Sequence, residues 1–307
     1  MPLPQAWTAG LASIVADRER GASLLALDAL ELLERAAAEA PRSKEGLGSL
    51  TDLARSLRAA RPSMPAIANL VNLAMHDAAG AGSAAEAVPR AERATAATRA
   101  QALEARGGAA RAAAALARGT VLTHSASETV TKALRAARRA GTLSRVVVAE
   151  GRPGFEGREL ARALAEEGVE TLLVVDAALG LHAREADVAL VGADAILPDG
   201  AVVNKVGTRL LAMACERAGT PLYAAADRFK ISPVASIPLE EKAPGEVWPD
   251  APPGVQVRNI YFDRTEAPLV KGFATDAGVL SPSAVGPLAL EHARWADWEA
   301  RMRRLLR

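Results

Sequence analysis

Cysteine occurs once in the 307-residue chain, at Cys215, so no disulfide can form within it, which fits a reducing, cytoplasmic setting. The surrounding LLAMACERAG has amphipathic helical spacing and makes that thiol a core residue rather than a nucleophile. Aromatic residues are scarce too, at 3%, while alanine abounds, a balance that favours helices packed closely through small side chains. No run of about 18 apolar residues escapes interruption by charge, so no membrane span is expected. The opening MPLPQAWTAGLASIVADRER has no basic start before its apolar stretch and does not read as a secretion signal. Neither sign of charge prevails: 37 Lys and Arg face 36 Asp and Glu. No net field draws the chain to nucleic acid or an anionic membrane, so any anion site must be local.

Several motifs are missing as well. No GxGxxG follows an expected strand and GxxxxGK[ST] is absent, so neither a dinucleotide nor a P-loop site is supported. His76, His124, His182 and His292 are scattered, with no HExxH and no paired cysteines, so no metal site is expected. No GxSxG elbow frames Ser125. The expectation is a protein without metal or cofactor.

What is present divides into two halves of different period. Half the residues are apolar and 24% are charged, the balance of a folded globular protein. Residues 1–118 are helical in pattern: Leu24, Leu27, Leu30 and Leu33 form one expected stripe, and Leu50, Leu53 and Leu57 another. AERATAATRAQALEARGGAARAAAALARG reads as a long helix, interrupted or loosened at Gly107 and Gly108. From 119 onward short apolar runs alternate with helical stretches: TVLTH, RVVVAE, ETLLVVD, VALVGAD and PLYAAAD are the expected strands. This predicts an α/β chain, a helical N-terminal domain (1–118) followed by a Rossmann-like doubly wound parallel-sheet domain (119–307). LPDGA marks a hairpin turn at Asp199-Gly200, and a helix is expected over 205–218.

In open α/β sheets ligands bind beyond the carboxyl ends of the strands. That rule selects Thr123 to Thr129, Glu150 to Gly154, Asp176, Gly192 to Asp194, and Asp227 to Lys230. In VLTHSASETVTKALR a strand gives way to a helix over Ser125, Ala126 and Ser127, and free amides there suit a phosphate. Capping of that helix by Ser125 or Ser127 is the simpler reading of the stretch alone. In GADAILPDGAVVNKVGT, Asp194 ends a strand and Asn204-Lys205 is expected to start the next helix. An acid there suits proton transfer or a sugar hydroxyl, and a lysine suits phosphate, although a turn cap and a solvated lysine are equally ordinary. RERGAS places Arg20 before Gly21 and Ala22, and ARPSMP adds Arg61. Trp295 and Trp298, in HARWADWEARMRRLLR, are expected to pack on the body of the protein or on a dimer partner.

Taken together, LTHSAS, VGADAILPDGAVVNKVGT, AADRFK and RNIYFDRTEAPLVKGFATDAGVLSP resemble one family. It unites the alpha, beta and delta subunits of the translation initiation factor 2B exchange complex with methylthioribose-1-phosphate isomerase and ribose-1,5-bisphosphate isomerase. The resemblance implies a homodimer or higher homo-oligomer built largely through the α/β domain, and a phosphorylated sugar as ligand. In the isomerases a cysteine and an aspartate move hydrogen between C2 and C1 of an aldose 1-phosphate. Carried over by motif, the aspartate is Asp194, and sugar or phosphate contacts fall on Arg20, Gly21, Ala22, Ser23, Arg61, Ser127, Glu128, Thr129, Asn204, Lys205 and Lys230. Ser125 stands where the isomerases have cysteine. A thiol of pKa about 8.5 exchanges protons near neutrality, and an unactivated hydroxyl does not. His124 is adjacent, but neighbours on a strand point to opposite faces. The expected function is therefore a sugar-phosphate-binding protein of the initiation-factor 2B alpha type with weak, altered or absent isomerase activity. The alternative is an aldose-1-phosphate to ketose-1-phosphate isomerase that uses Asp194.

Overall fold

The computed structural model describes residues 3–17 and 20–307, so the first two residues of RERGAS lie outside the described residues. Helices α1 (Gln5–Ala16), α2 (Ala22–Glu39), α3 (Lys44–Ala59), α4 (Pro65–Ala78) and α5 (Ala84–Leu116) open the chain. Alternation follows: β1 (Gly119–His124), α6 (Glu128–Arg139), β2 (Leu143–Ala149), α7 (Glu156–Glu166), β3 (Glu170–Val174), a 3-10 helix (Asp176–Glu185) and β4 (Val188–Gly192). Then come β5 (Ala195–Ile196), β6 (Val202–Lys205), α8 (Thr208–Ala218), β7 (Leu222–Ala225), β8 (Phe262–Thr265), β9 (Gly272–Thr275), β10 (Gly278–Leu280), α9 (Val285–Trp295) and α10 (Trp298–Leu306). None of the described helices is long and apolar enough to cross a membrane.

Two compact units result. The first comprises Met1–Glu104, Phe229–Ile237 and Gly286–Arg307, and the second Ala105–Arg228 and Pro238–Val285.

In the first unit α2 packs on α4, α3 on α4, and α10 on α3 and α4. Ser43 caps α3 by accepting from the Gly46 amide at 3.3 Å, and Leu47, Leu50, Leu53 and Leu57 are fully buried along one face. The stripe expected on α2 is corrected: Leu24 is exposed, and the buried face runs through Leu25, Ala26, Ala29, Leu30, Leu33, Ala36 and Ala37. A strict three-residue repeat drifts around a helix of 3.6 residues per turn, so Leu24 rotates away from the core. Helix α5 is likewise continuous over 33 residues, with no break at its two glycines. Within the second unit, a Cβ on Gly108 would lie 2.9 Å from the Cα of Asp276, so this glycine serves close approach rather than a kink. Trp298 is fully buried, its indole donating to Asn72 Oδ1 at 2.9 Å, and Trp295 stacks on His292, 4.2 Å between centroids. Both tryptophans thus pack within the first unit.

The second unit holds a seven-stranded sheet of order β10-β9-β7-β4-β1-β2-β3, parallel except for β10 against β9. Its parallel strands are near-continuous apolar runs, as burial demands. Val146, Val148 and Leu190 meet Val130, Ala133 and Leu134 of α6 and Leu160 and Leu164 of α7 in one core. A second sheet, β5-β6-β8, contains the expected hairpin: Gly200 turns at φ +82° and donates to Leu197 O at 2.8 Å. Asn204 and Lys205 are corrected from the start of a helix to the end of β6, where they pair with Asp263 and Phe262 of β8. Helix α8 begins only at Thr208, because Gly207 at φ +105° separates it from the strand.

Replacing Trp298 with Ala should cost about 3 to 5 kcal/mol, the usual loss for a buried Trp. The urea unfolding midpoint of the variant measures it.

Candidate functional site

The strand order reverses between β1 and β4: the chain proceeds from β1 to β2 and β3 on one side, and β4, β7, β9 and β10 fill the other. Ligand crevices in open α/β sheets form at such a point, beyond the carboxyl ends of the two strands. Ser125 follows β1 directly and Asp194 follows β4 after one residue. Ser125 is buried and adopts φ +61°, a left-handed conformation uncommon outside glycine. Ser127 caps α6, its hydroxyl accepting from the Val130 amide at 3.5 Å. The end of β4 meets the cap of α6 closely, since a Cβ on Gly192 would lie 2.7 Å from Ser127 Cβ.

Within α6, Thr129 is buried in the first turn. The Glu128 carboxylate is paired with Arg106 and, at 2.7 Å, with Lys132. Burial pushes that carboxyl up, but hydrogen bonds and charge from Lys132 and Arg106 hold it below its ordinary range. His124 is committed elsewhere: Nε2 donates to Val206 O at 2.7 Å, and Nδ1 lies 3.7 Å from Asp176 Oδ1 without a hydrogen bond. Burial lowers its pKa, so the imidazole is neutral. Neither ring nitrogen is hydrogen-bonded to Ser125.

The end of β6 carries the densest polarity. Asn204 donates to Thr208 Oγ1 at 3.0 Å, and the Asp194 amide donates to Val203 O at 2.9 Å, fixing this acid beside the strand. Lys205 is only 4% exposed, yet its ammonium is 2.8 Å from Glu156 Oε1 and 3.6 Å from the centroid of the Tyr261 ring. Tyr261 donates its hydroxyl to the same Glu156 oxygen, and Lys242 lies 3.5 Å from the ring centroid. Burial pushes the Tyr261 phenol up, as do the hydrogen bond to Glu156 and nearby carboxylates including Asp194. Sequence reasoning missed Glu156, Tyr261 and Lys242. The glycines of EGRPGFEG were the available signal for Glu156, whereas nothing local set Tyr261 or Lys242 apart.

The turn after Lys205 is held from two sides. Asp263 accepts the amides of Gly207 at 2.7 Å and Arg209 at 3.2 Å, and a Cβ on Gly207 would lie 2.8 Å from His124 Nε2. On α8, Cys215 is fully buried and its thiol is pushed up to about 12 by burial, so it is inert at neutral pH.

The first unit gathers a separate set. Arg20 binds Asp17 through Nε at 2.7 Å and Asp28 through Nη1 at 2.5 Å, while Arg61, buried, donates to the Asp17 carbonyl. Gly21 is the N-cap of α2, and no side chain caps the first turn containing Ala22 and Ser23. The structure therefore brings Arg20 and Arg61 together on Asp17, a residue with no distinguishing local pattern. Lys230 is buried at the end of a short 3-10 helix, Arg228–Lys230.

Burial pushes the Asp263 carboxyl up to about 6, against the amides of Arg209 and Gly207 that hold it down. The folded chain holds this proton more tightly than the unfolded one, so the contribution of this carboxyl to stability is full below about 4 and is lost as pH rises through about 6. A carboxyl carbon titrating near 6 by NMR, with a stability slope flattened in Asp263→Asn, is the expected result.

Residues 18–282 match the model of the Initiation factor 2 subunit family. The crystal structure of translation initiation factor eIF-2B from Pyrococcus horikoshii OT3 superposes with a TM-score of 0.79 and 30% identity, covering 92% of this chain and 99% of that one. A ribose 1,5-bisphosphate isomerase of Methanocaldococcus jannaschii is 32% identical over 184 residues, 58% of this chain and 60% of that protein. A methylthioribose-1-phosphate isomerase of Desulforudis audaxviator is 40% identical over 161 residues, 48% of this chain and 46% of that protein. The chain thus spans 60% or less of the length of these two curated relatives. With the family model covering most of its length, and with the strand order and the crevice residues described above, the chain belongs to the Initiation factor 2 subunit family.

Proposed function

We propose that this protein binds a phosphorylated sugar beyond the carboxyl ends of β1 and β4 and isomerises it slowly or not at all. The observation that carries this reading is Ser125. It occupies the position after β1, and the adjacent His124 makes no hydrogen bond to it: Nε2 donates to Val206 O and the basic nitrogen, Nδ1, has no hydrogen-bond partner. A hydroxyl without a partner base exchanges protons poorly near neutral pH, whereas anion binding needs only amides and cations. The first turn of α6 supplies amides beside Ser127 and Thr129, and Lys205 supplies a buried cation. For Arg20, Gly21, Ala22, Ser23, Arg61 and Lys230, all in the first unit, a sugar or phosphate contact is what the family resemblance implies. In this reading Glu128, already paired with Arg106 and Lys132, orders the start of α6. The protein acts as a homodimer or higher homo-oligomer in the cytoplasm.

Asp194 favours a second reading, residual isomerisation with this acid as proton donor and acceptor. Its backbone amide donates to Val203 O, and its charge is among those that raise the Tyr261 phenol.

A panel of sugar 1-phosphates and 1,5-bisphosphates, followed by proton NMR for conversion and by thermal shift for binding, separates the two. Stabilisation without conversion is expected. Conversion abolished by Asp194→Asn would establish the second reading, and no stabilisation by any sugar phosphate would remove both. Lys205→Ala and Lys230→Ala should each weaken binding by about 1.5 to 3 kcal/mol, the scale of a hydrogen bond to a charged group. Unchanged affinity in calorimetric titrations takes that lysine out of the site.

A further inference from the structure

A buried ammonium keeps its proton only beside a compensating charge. Lys205 has that charge in one carboxylate at contact distance, Glu156, at 2.8 Å. Glu156 is the first residue of α7, and the loop before it is shaped around its side chain. A Cβ on Gly154 would lie 2.7 Å from Glu156 Oε1, and one on Gly151 would lie 3.0 Å from Oε2. The same position on Gly151 is 3.3 Å from the Cα of Ser125, so this carboxylate sits directly behind the segment that follows β1. Tyr261 completes the arrangement by donating to Oε1 while its ring lies against the Lys205 ammonium.

We infer that Glu156 is the positioning residue of the crevice: through its ion pair it keeps Lys205 charged and aimed, and Tyr261 fixes the carboxylate that does so. This rests on the reading of Lys205 as an anion ligand given above. Glu156 is itself suited to the role. Burial pushes its carboxyl up, but the hydrogen bonds from Lys205 and Tyr261 bring it below the ordinary range, so it stays ionised. Burial lowers the Lys205 ammonium, and Glu156 opposes that most strongly, ahead of the more distant Asp176 and Glu246. The neighbouring cation Lys242 shares the Tyr261 ring, and His124 touches the next residue through Val206 O.

The test is a direct titration of Lys205 by NMR of isotopically labelled lysine side chains, in the absence of ligand, with Lys205→Ala to assign the signal. Glu156→Gln should lower the Lys205 midpoint by about 1 to 3 pH units, the usual effect of one adjacent opposite charge. Tyr261→Phe keeps the ring and should shift the midpoint less. Should Glu156→Gln not fold, Glu156→Asp carries the test, since drawing the carboxylate back by one methylene should also lower the midpoint. A midpoint unmoved in the folded Glu156 variant, or moved as far by Tyr261→Phe, overturns the inference. Affinity for a sugar phosphate, measured across the same pH range, should fall away at correspondingly lower pH in Glu156→Gln. If no sugar phosphate binds the wild-type protein while the midpoint still moves, the ligand assignment fails and the positioning role of Glu156 stands.

Discussion

Parallel strands can be joined only by crossovers, and in the larger sheet the direction of those crossovers reverses once, between β1 and β4. At that place no crossing connection covers the strand ends, so backbone amides and side chains remain available there. The rest of the second unit is organised about this opening. Gly192 lacks a side chain because Ser127 occupies its space, Gly207 lacks one because His124 does, and Gly157 lacks one because the Ala149 carbonyl would lie 1.8 Å from a Cβ. Three glycines thus bring β4 against the cap of α6, the turn before α8 against β1, and α7 against β2.

Charge is admitted to this edge under strict conditions. Lys205 is buried with Glu156, Asp263 with the amides at the start of α8, and His124 is neutral on a carbonyl. Each of these groups fixes backbone as well as side chain. His124 and Asp263 grip the turn from Val206 to Arg209, and the Asp194 amide ties the end of β4 to Val203. Exposed pairs such as Arg258 with Glu241 gain little by comparison, because water screens them and their side chains must be ordered. The energetic weight lies in the buried set, where removing one partner strands the other.

Much of this was legible in the sequence. TVLTH, RVVVAE, ETLLVVD, VALVGAD and PLYAAAD each became a strand, the inner ones because buried parallel strands need unbroken apolar runs and ETLLVVD as the exposed edge strand β3. The Asp199-Gly200 hairpin was readable because a type of turn demands a type of residue. Local pattern failed where the deciding partner was remote. Asn204 and Lys205 belong to a strand because β8, some sixty residues on, pairs with them. Gly107 and Gly108 looked like a weak point because Asp276 was out of view. The family resemblance marked Lys205, but its partners Glu156 and Tyr261 stand 49 and 56 positions away from it, beyond any periodicity.

Ser125 joins these threads. Its backbone at φ +61° carries a conformational cost that a β-carbon pays and glycine does not, of order 1 to 3 kcal/mol. A chain tolerates that cost where the geometry of the neighbouring groups over-determines it, and here β1 ends one residue before while the Ser127 cap of α6 begins two residues later. The conformation turns the chain sharply enough for α6 to start beside the end of β4. That geometry serves ligand binding whatever atom ends the side chain at 125. Proton transfer asks for more, a group whose acidity matches neutral pH or a base to supply the difference, and the imbalance between these two requirements is the physical ground for reading the crevice first as a place that holds a phosphorylated sugar.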